Sequence, residues 1–409
     1  MMPRTSHHEQ SPSAPVLYLV APTGHPNFGD EFIAAAWLRH LAAVHPEAEV
    51  WLDCTNPGQA AHLVGSLHPR VRFTDTLWRL VLDTTAMDPV TAGAHIDRVI
   101  TDLGSPRYDL GLLALRRADS VHLLGGGYLN AIWPHHAGLL RAAGRLKELT
   151  GATLYATGLG LFPAADGTAV RQALAAFDHA TVRDAPSADL AGVAQGPDDA
   201  FLGLEAVPGF TGDPVQGGEP DGDVWVCLQS DTSSPGAAEA AVAAVRAALE
   251  GPLAGRTVRY LEAIPGADRA GFEQLADLIP AEHFVPFTRV WLEVFPARPG
   301  QTWLTTRFHF HLLAAACGAA GTALEVSDDY YRTKHRSLLE AGTGWAVTAA
   351  GDDRLAGPTA AASFPATAAA LREEKLAEAR TLYPGGRHHG DGTHRAAPEG
   401  RHRGWFHRR

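Results

Sequence analysis

The sequence has only three cysteines in 409 residues, Cys54, Cys227 and Cys317. Odd in number and widely spaced, they suggest neither a disulfide framework nor a zinc site, and they read as small buried thiols. Lysine is as scarce: Lys147, Lys334 and Lys375 are the only lysines among 34 basic residues. Alanine and glycine are abundant instead, so Ala-rich stretches carry little signal and each lysine carries more. Positive charge is short overall, with a formal net charge of −11, which argues against nucleic acid as a partner. From Pro384 to Arg409 six Arg face two acidic residues, so the rest of the chain carries about −15. A body that acidic must gather the cations for an anionic ligand into one pocket. No apolar run approaches the ~20 residues of a membrane span, and the residues before Pro15 lack the apolar core of a secretion signal. The expected location is cytoplasmic. No internal repeat stands out.

What is present is an ordinary globular balance, 45% hydrophobic and 19% charged, over a length that suits two or three domains. Short apolar runs at Val16–Val20, Glu49–Asp53, Ser120–Leu124, Thr153–Thr157 and Thr181-Val182 alternate with helical spacing after Phe32, from Leu139 and from Val170. That rhythm predicts a mostly parallel, doubly wound sheet over 15–206, after a disordered N-terminus at 1–14. Residues 207–223 are rich in Gly, Pro and Asp and read as a linker. A second series begins at Val224–Leu228 and continues through Thr257–Leu261, Trp303–Thr305 and Thr322–Val326, giving a second α/β domain over 224–363. A terminal helix follows at 364–383, then a disordered basic tail at 384–409. The expected architecture is two Rossmann-like α/β domains facing a cleft, with ligands at the carboxyl ends of the strands.

Five segments carry candidate chemistry. Gly24-His25-Pro26-Asn27-Phe28-Gly29-Asp30-Glu31 lies between a strand and a helix; its glycines admit close backbone approach, and its carboxylates suit helix capping, sugar hydroxyls or base work. Gly125-Gly126-Gly127 follows a strand and permits the same close approach. It is not the G-x-G-x-x-G dinucleotide fingerprint, which leaves a nicotinamide dehydrogenase a distant reading. Val182-Arg183-Asp184 ends another strand and can present a guanidinium to an anion, or form a simple ion pair. Thr305-Thr306-Arg307-Phe308-His309 enters a helix, where an anion would meet a guanidinium, free N–H groups and a proton donor. His311, two positions on, points elsewhere and reads as structural or solvated. Asp328-Asp329-Tyr330-Tyr331-Arg332-Thr333-Lys334 reads as a loop holding one of the rare lysines.

Taken in order, these segments resemble the polysaccharide pyruvyl transferase family. Gly24, Asn27, Gly29 and Asp30 match its G-x-x-N-x-G-D element, followed by the glycine triplet and by Val182, Arg183, Asp184 and Ser187. Asp198-Asp199-Ala200-Phe201 matches a later acidic segment, and Arg307 with His309 the R-x-H helix start; Tyr331 to Lys334 completes the series. Phe308 stands where the family usually has an aliphatic residue. The resemblance implies a GT-B-like shape and transfer of a pyruvyl group from phosphoenolpyruvate onto two hydroxyls of one sugar or glycan, forming a ketal and releasing phosphate. It implies phosphoenolpyruvate as a co-substrate, with no cofactor and no metal. Arg183, Arg307, Lys334 and Gly125 to Gly127 would hold the donor and Asn27 and Asp184 the acceptor. His309 would be the acid, with Asp30 or Glu31 acting on the attacking hydroxyl. Two other readings fit the same shape: a glycosyltransferase using a nucleotide-sugar, and a non-catalytic protein that binds an anion.

Overall fold

A computed structural model describes residues 14–164, 166–213, 223–293, 295–327 and 330–385. Most of the expected N-terminal segment, the basic tail, Asp328-Asp329 and 214–222 of the expected linker lie outside the described residues. Seven parallel strands form the first sheet: β1 (Val16–Val20), β2 (Glu49–Asp53), β3 (Val71–Thr74), β4 (Ser120–Leu123), β5 (Thr153–Leu159), β6 (His179–Val182) and β7 (Ala194–Gln195). Six more form the second: β8 (Val224–Cys227), β9 (Val258–Leu261), β10 (Phe284–Val285), β11 (Thr302–Thr305), β12 (Ala320–Leu324) and β13 (Ala346–Thr348). The orders are β3-β2-β1-β4-β5-β6-β7 and β10-β9-β8-β11-β12-β13.

Each central strand is buried along its length, as β1 (VLYLV) and β8 (VWVC) show. Such continuous apolar runs suit a sheet covered on both faces by helices. Strand order reverses between β1 and β4 and between β8 and β11, where flanking strands are in register, Leu17 opposite both Val50 and Ser120. Connections leaving neighbouring strands in opposite directions open a crevice at each carboxyl edge. These crevices are where the loops after β1, β4, β8 and β11 emerge.

The helix Phe28–Val44 is buried on nearly every side, because it serves both halves. Its Phe28 ring meets Phe310, Phe295 and Trp291 of the second half at 5.3, 5.4 and 5.8 Å, and the Phe28 N–H donates to the Ala263 carbonyl at 3.0 Å. Full burial of such a ring contributes about 1.5–3 kcal/mol. One continuous apolar core therefore runs beneath the crevice from sheet to sheet.

The terminal helix Phe364–Leu382 returns to the first sheet. Its Lys375 Nζ donates to Asp199 Oδ1 at 2.9 Å and to Glu378 at 2.6 Å, and Asp199 also accepts from Trp37 Nε1, Gly125 N and Thr157 Oγ1. Asp199 is thus a hub joining four segments. Inside the expected linker, Pro208–Thr211 is a short helix preceded by the buried Val207. The expected loop at Lys334 is a helix, Tyr330–Glu340. All three cysteines are buried and unbridged. Among the described residues, no helix is long and apolar enough to cross a membrane.

Candidate functional site

The two crevices merge into one cleft of about 600 Å³. Asn27, Asp30, Gly127 and Arg183 reach it from the first half; Arg307, His309 and Lys334 reach it from the second.

Three cations converge there. Arg183 follows β6; its guanidinium lies 4.4 Å above the Phe308 ring centroid and donates through NH1 to Asp198 at 2.9 Å. An aromatic face at this distance holds a desolvated guanidinium that an aliphatic side chain would not, so Phe308 makes structural sense in place of the family's aliphatic residue. Lys334 reaches across from its helix, and Gly127 makes room. A Cβ at residue 127 would lie 3.0 Å from Lys334 Nζ and 3.1 Å from Arg183 NH2. Burial, with Arg183 and Arg307 adding to it against Asp30 and Asp231, holds the Lys334 ammonium well below its ordinary pKa. A bound anion would favour its charged form. Arg307 precedes the helix Phe308–Ala316, which no side chain caps, so the positive end of the helix adds to the same field. Its guanidinium is held by Asp268, 3.0 Å from Nε, and by Asp231, 2.9 Å from NH2.

Proton-transfer groups stand beside the cations. His309 Nε2 lies 3.5 Å from Asp198 Oδ1. Burial alone would raise the Asp198 pKa, but His309, Arg183 and the Ala200 N–H outweigh it and keep the carboxylate ionised. Asp30 accepts from Asn27 Nδ2 at 2.7 Å; burial raises its pKa against the pull of His309, Lys334 and Arg183, which makes it a better base than an ordinary carboxylate. Gly29 clears the space for His309, since a Cβ there would fall 1.8 Å from His309 Nδ1. Gly29→Ala is therefore expected to push the imidazole aside and lower turnover about 100-fold, the scale of an ångström-sized misplacement. Steady-state rates beside a folded melting profile would check it.

Four residues expected in the site belong instead to its scaffold. Glu31 is fully buried and accepts from the Gly24 N–H at 2.7 Å, which fixes the turn after β1. Burial pushes its carboxyl up to about 8, so near neutrality it is protonated and no base. Its native pKa exceeds the unfolded value of 4.5, so the native state keeps a proton that the unfolded chain loses; stability falls as pH rises from about 4.5 to about 8. Glu31→Gln is expected to remove that part of the decline, read as a smaller loss of urea midpoint between about pH 5 and about 8.5. Asp53, raised by burial to about 7, keeps a residual slope in both proteins. Gly125 donates its N–H to Asp199, and Gly126, at φ +149°, packs against Tyr128. Asp184 caps the helix Ala185–Ala191 through the Ser187 N–H at 2.9 Å. Asn27 does both jobs, capping the Phe28 helix and holding Asp30 at the cleft edge.

His311 is buried behind the site in a hydrogen-bond chain whose proton positions follow from one carbonyl. The Thr306 oxygen only accepts, so His335 Nε2, at 3.2 Å, carries the proton. His335 Nδ1 then accepts from His311 Nδ1 at 3.2 Å, and His311 Nε2 accepts from the Thr343 hydroxyl at 3.0 Å. Burial keeps both rings neutral. The chain fastens the turn bearing Arg307 to the helix bearing Lys334.

Sequence reasoning gave Asp198 no role of its own, and it missed Asp231, Asp268 and the cleft-lining Trp78, Trp133 and His136. Asp198 stood within a recognised segment; the others had no local signal.

A family model described as polysaccharide pyruvyl transferase matches residues 27–247, just over half of the chain. No match was found among curated protein sequences. Among solved structures, a protein described as a UDP-N-acetylglucosamine 2-epimerase from Listeria monocytogenes superposes with a TM-score of 0.50 at 13% identity, covering 90% of this chain and 92% of its own. The glycosyltransferase SnogD from Streptomyces nogalater gives a TM-score of 0.44 at 16% identity, covering 90% and 98% respectively. The two parallel-sheet halves and the likeness to the epimerase make the fold of the GT-B type.

Proposed function

The chain belongs to the polysaccharide pyruvyl transferase family, and from that premise we propose that it transfers a pyruvyl group from phosphoenolpyruvate to two hydroxyls of one sugar. The observation that carries this reading is the meeting of Arg183, Arg307 and Lys334 with His309 and Asp30 in a single cleft of an acidic protein. Phosphoenolpyruvate brings a carboxylate and a phosphate to one small molecule, and convergent cations are what such a donor requires.

In this reading His309, oriented by Asp198, delivers a proton to the methylene carbon of the donor, which becomes the ketal methyl. Positive charge develops at the neighbouring carbon, where the first sugar hydroxyl attacks as Asp30 takes its proton. The carbon–oxygen bond to phosphate then breaks, and the second hydroxyl closes the ring. Of the two hydroxyl protons, one leaves with phosphate and the other balances the proton given to carbon. Phosphoenolpyruvate is a co-substrate, and no cofactor takes part. Electrostatic preorganisation of the three cations toward the departing phosphate supplies the main rate term.

The test is incubation with phosphoenolpyruvate and a panel of free and glycosidic sugars in deuterium oxide. Phosphate release that depends on a sugar, together with a ketal methyl carrying one deuterium, is expected. Release that ignores the sugar would remove the ketal reading.

A further inference from the structure

Arg307 is bound by two carboxylates of unlike character. Asp268 is fully buried and also accepts from the Ala263 and Ile264 N–H groups at 2.7 and 2.8 Å. It is part of the framework. Asp231 reaches the same NH2 from the loop after β8, its side chain 39% exposed, and lines the cleft. One carboxylate is enough to neutralise Arg307; the second occupies the cleft side of the guanidinium, where an anionic ligand would bind.

The loop is built to aim it. Gln229 Nε2 donates to the Asp231 carbonyl at 2.7 Å, and the Ser233 hydroxyl donates to the same oxygen at 3.3 Å. The next residue, Thr232, has φ +52° and is the non-glycine residue found at positive φ among the described residues. A β-branched side chain is strained there, and it too lines the cleft. Arg307 is largely buried and already compensated by Asp268, so the fold does not need the second, 39% exposed carboxylate of Asp231. Strain beside a ligand cleft marks a feature held for binding.

We infer that Asp231 is an intramolecular stand-in for the anionic ligand, occupying Arg307 until a sufficiently charged donor displaces it. Every anion that uses Arg307 must displace it, so Asp231 lowers the apparent affinity of the site and sets how tightly an anion must bind to hold it. The inference rests on the reading of Arg307 as an anion-binding cation.

Calorimetric titration of inorganic phosphate and of phosphoenolpyruvate into the wild type, Asp231→Asn and Asp231→Ala tests it. Both variants are expected to bind phosphate about tenfold more tightly, a change equivalent to about 1.4 kcal/mol. Phosphoenolpyruvate, which must displace the same carboxylate, should gain by a similar factor. In an Arg307→Ala background Asp231→Asn should gain far less, only what the Asp231 charge exerts through Lys334. A gain of anion affinity is a readout that a merely structural residue would not produce. Unchanged or weaker phosphate binding in both variants would overturn the inference, because Asp231 would then assist the anion or stand apart from it. Should phosphoenolpyruvate bind none of the proteins while phosphate binding still rises, the stand-in holds and the donor reading fails.

Discussion

Replacing His309 with alanine is expected to lower turnover by roughly 10²–10⁴-fold, the usual contribution of a positioned general acid, while phosphoenolpyruvate affinity changes only a few-fold. The separation follows from geometry. Arg183 and Arg307 hold charge in the cleft without help from His309: Arg183 rests on Asp198 and Phe308, and Arg307 on Asp268 and Asp231. In the proposed reaction the imidazole, 3.5 Å from Asp198, gives up the proton. Asp198→Asn should behave differently, because Asp198 serves both His309 and Arg183; turnover and donor affinity should fall together. Single-turnover rates beside equilibrium binding separate the two effects. Turnover within about threefold of wild type in His309→Ala, far below the loss of a general acid, would assign protonation to another group.

The largest stability effect is expected at Lys375, well away from the cleft. Lys375 and Asp199 are both fully buried and paired at 2.9 Å. Removing one member of a buried pair typically costs about 3–5 kcal/mol, so Lys375→Met should lose stability on that scale in urea denaturation. Its ammonium is lowered by burial but raised further by Asp199 and Glu378, for a net rise. Glu378, raised by burial, is pulled down to about 2 by His179, Lys375 and Thr181. A raised lysine stabilises below its unfolded pKa, and a depressed glutamate stabilises above its own. The network is therefore intact from about pH 4.5, the unfolded value for Glu378, to about 10.4, that of an unfolded lysine. In Lys375→Met the Asp199 carboxylate would stay buried without its cation, which is the source of the deficit. Adding Asp199→Asn should recover part of it. A deficit under about 1 kcal/mol, the scale of an exposed pair, would mean that the pair is not the tie between the terminal helix and the first sheet.

The central strands were legible because they are buried on both faces. VLYLV at β1 and VWVC at β8 leave little alternative to a covered parallel strand. The stretch from Pro57 to Leu115 was not legible. It holds β3 and the short helices Pro57–Val64, Thr76–Leu82 and Asp109–Leu115, each too brief to display a period, and the longer helix Pro89–Thr101, whose buried Ile96, Val99 and Ile100 carry a helical spacing that was overlooked. Two-residue strands such as β7 and β10 are fixed by their neighbours rather than by their own residues.

The cleft divides along the same line. Residues whose task is set by a local turn, such as Asn27, Gly29 and Arg307, could be found from the order of their segments. Glycines were half legible: the triplet signals close approach, yet its members approach Asp199, Tyr128 and the Lys334–Arg183 pair respectively, and only the last borders the cleft. Glu31 and Asp30 are adjacent and alike in sequence; burial raises both carboxyls, and what separates them is that Asp30 faces His309, Lys334 and Arg183 while Glu31 holds the Gly24 N–H. Asp198 and Asp231 act through Arg183, His309 and Arg307, which other segments supply, so no window of sequence contains their role.

The most direct test of the donor assignment is calorimetric titration of phosphoenolpyruvate into the wild type and into Lys334→Met, which keeps the side chain's bulk and removes its charge. The expected result is saturable binding by the wild type, weakened about tenfold or more, at least 1.4 kcal/mol, in the variant. Absence of phosphoenolpyruvate binding in the wild type, with uridine diphosphate bound in its place, would contradict the account and assign the cleft to a nucleotide-sugar.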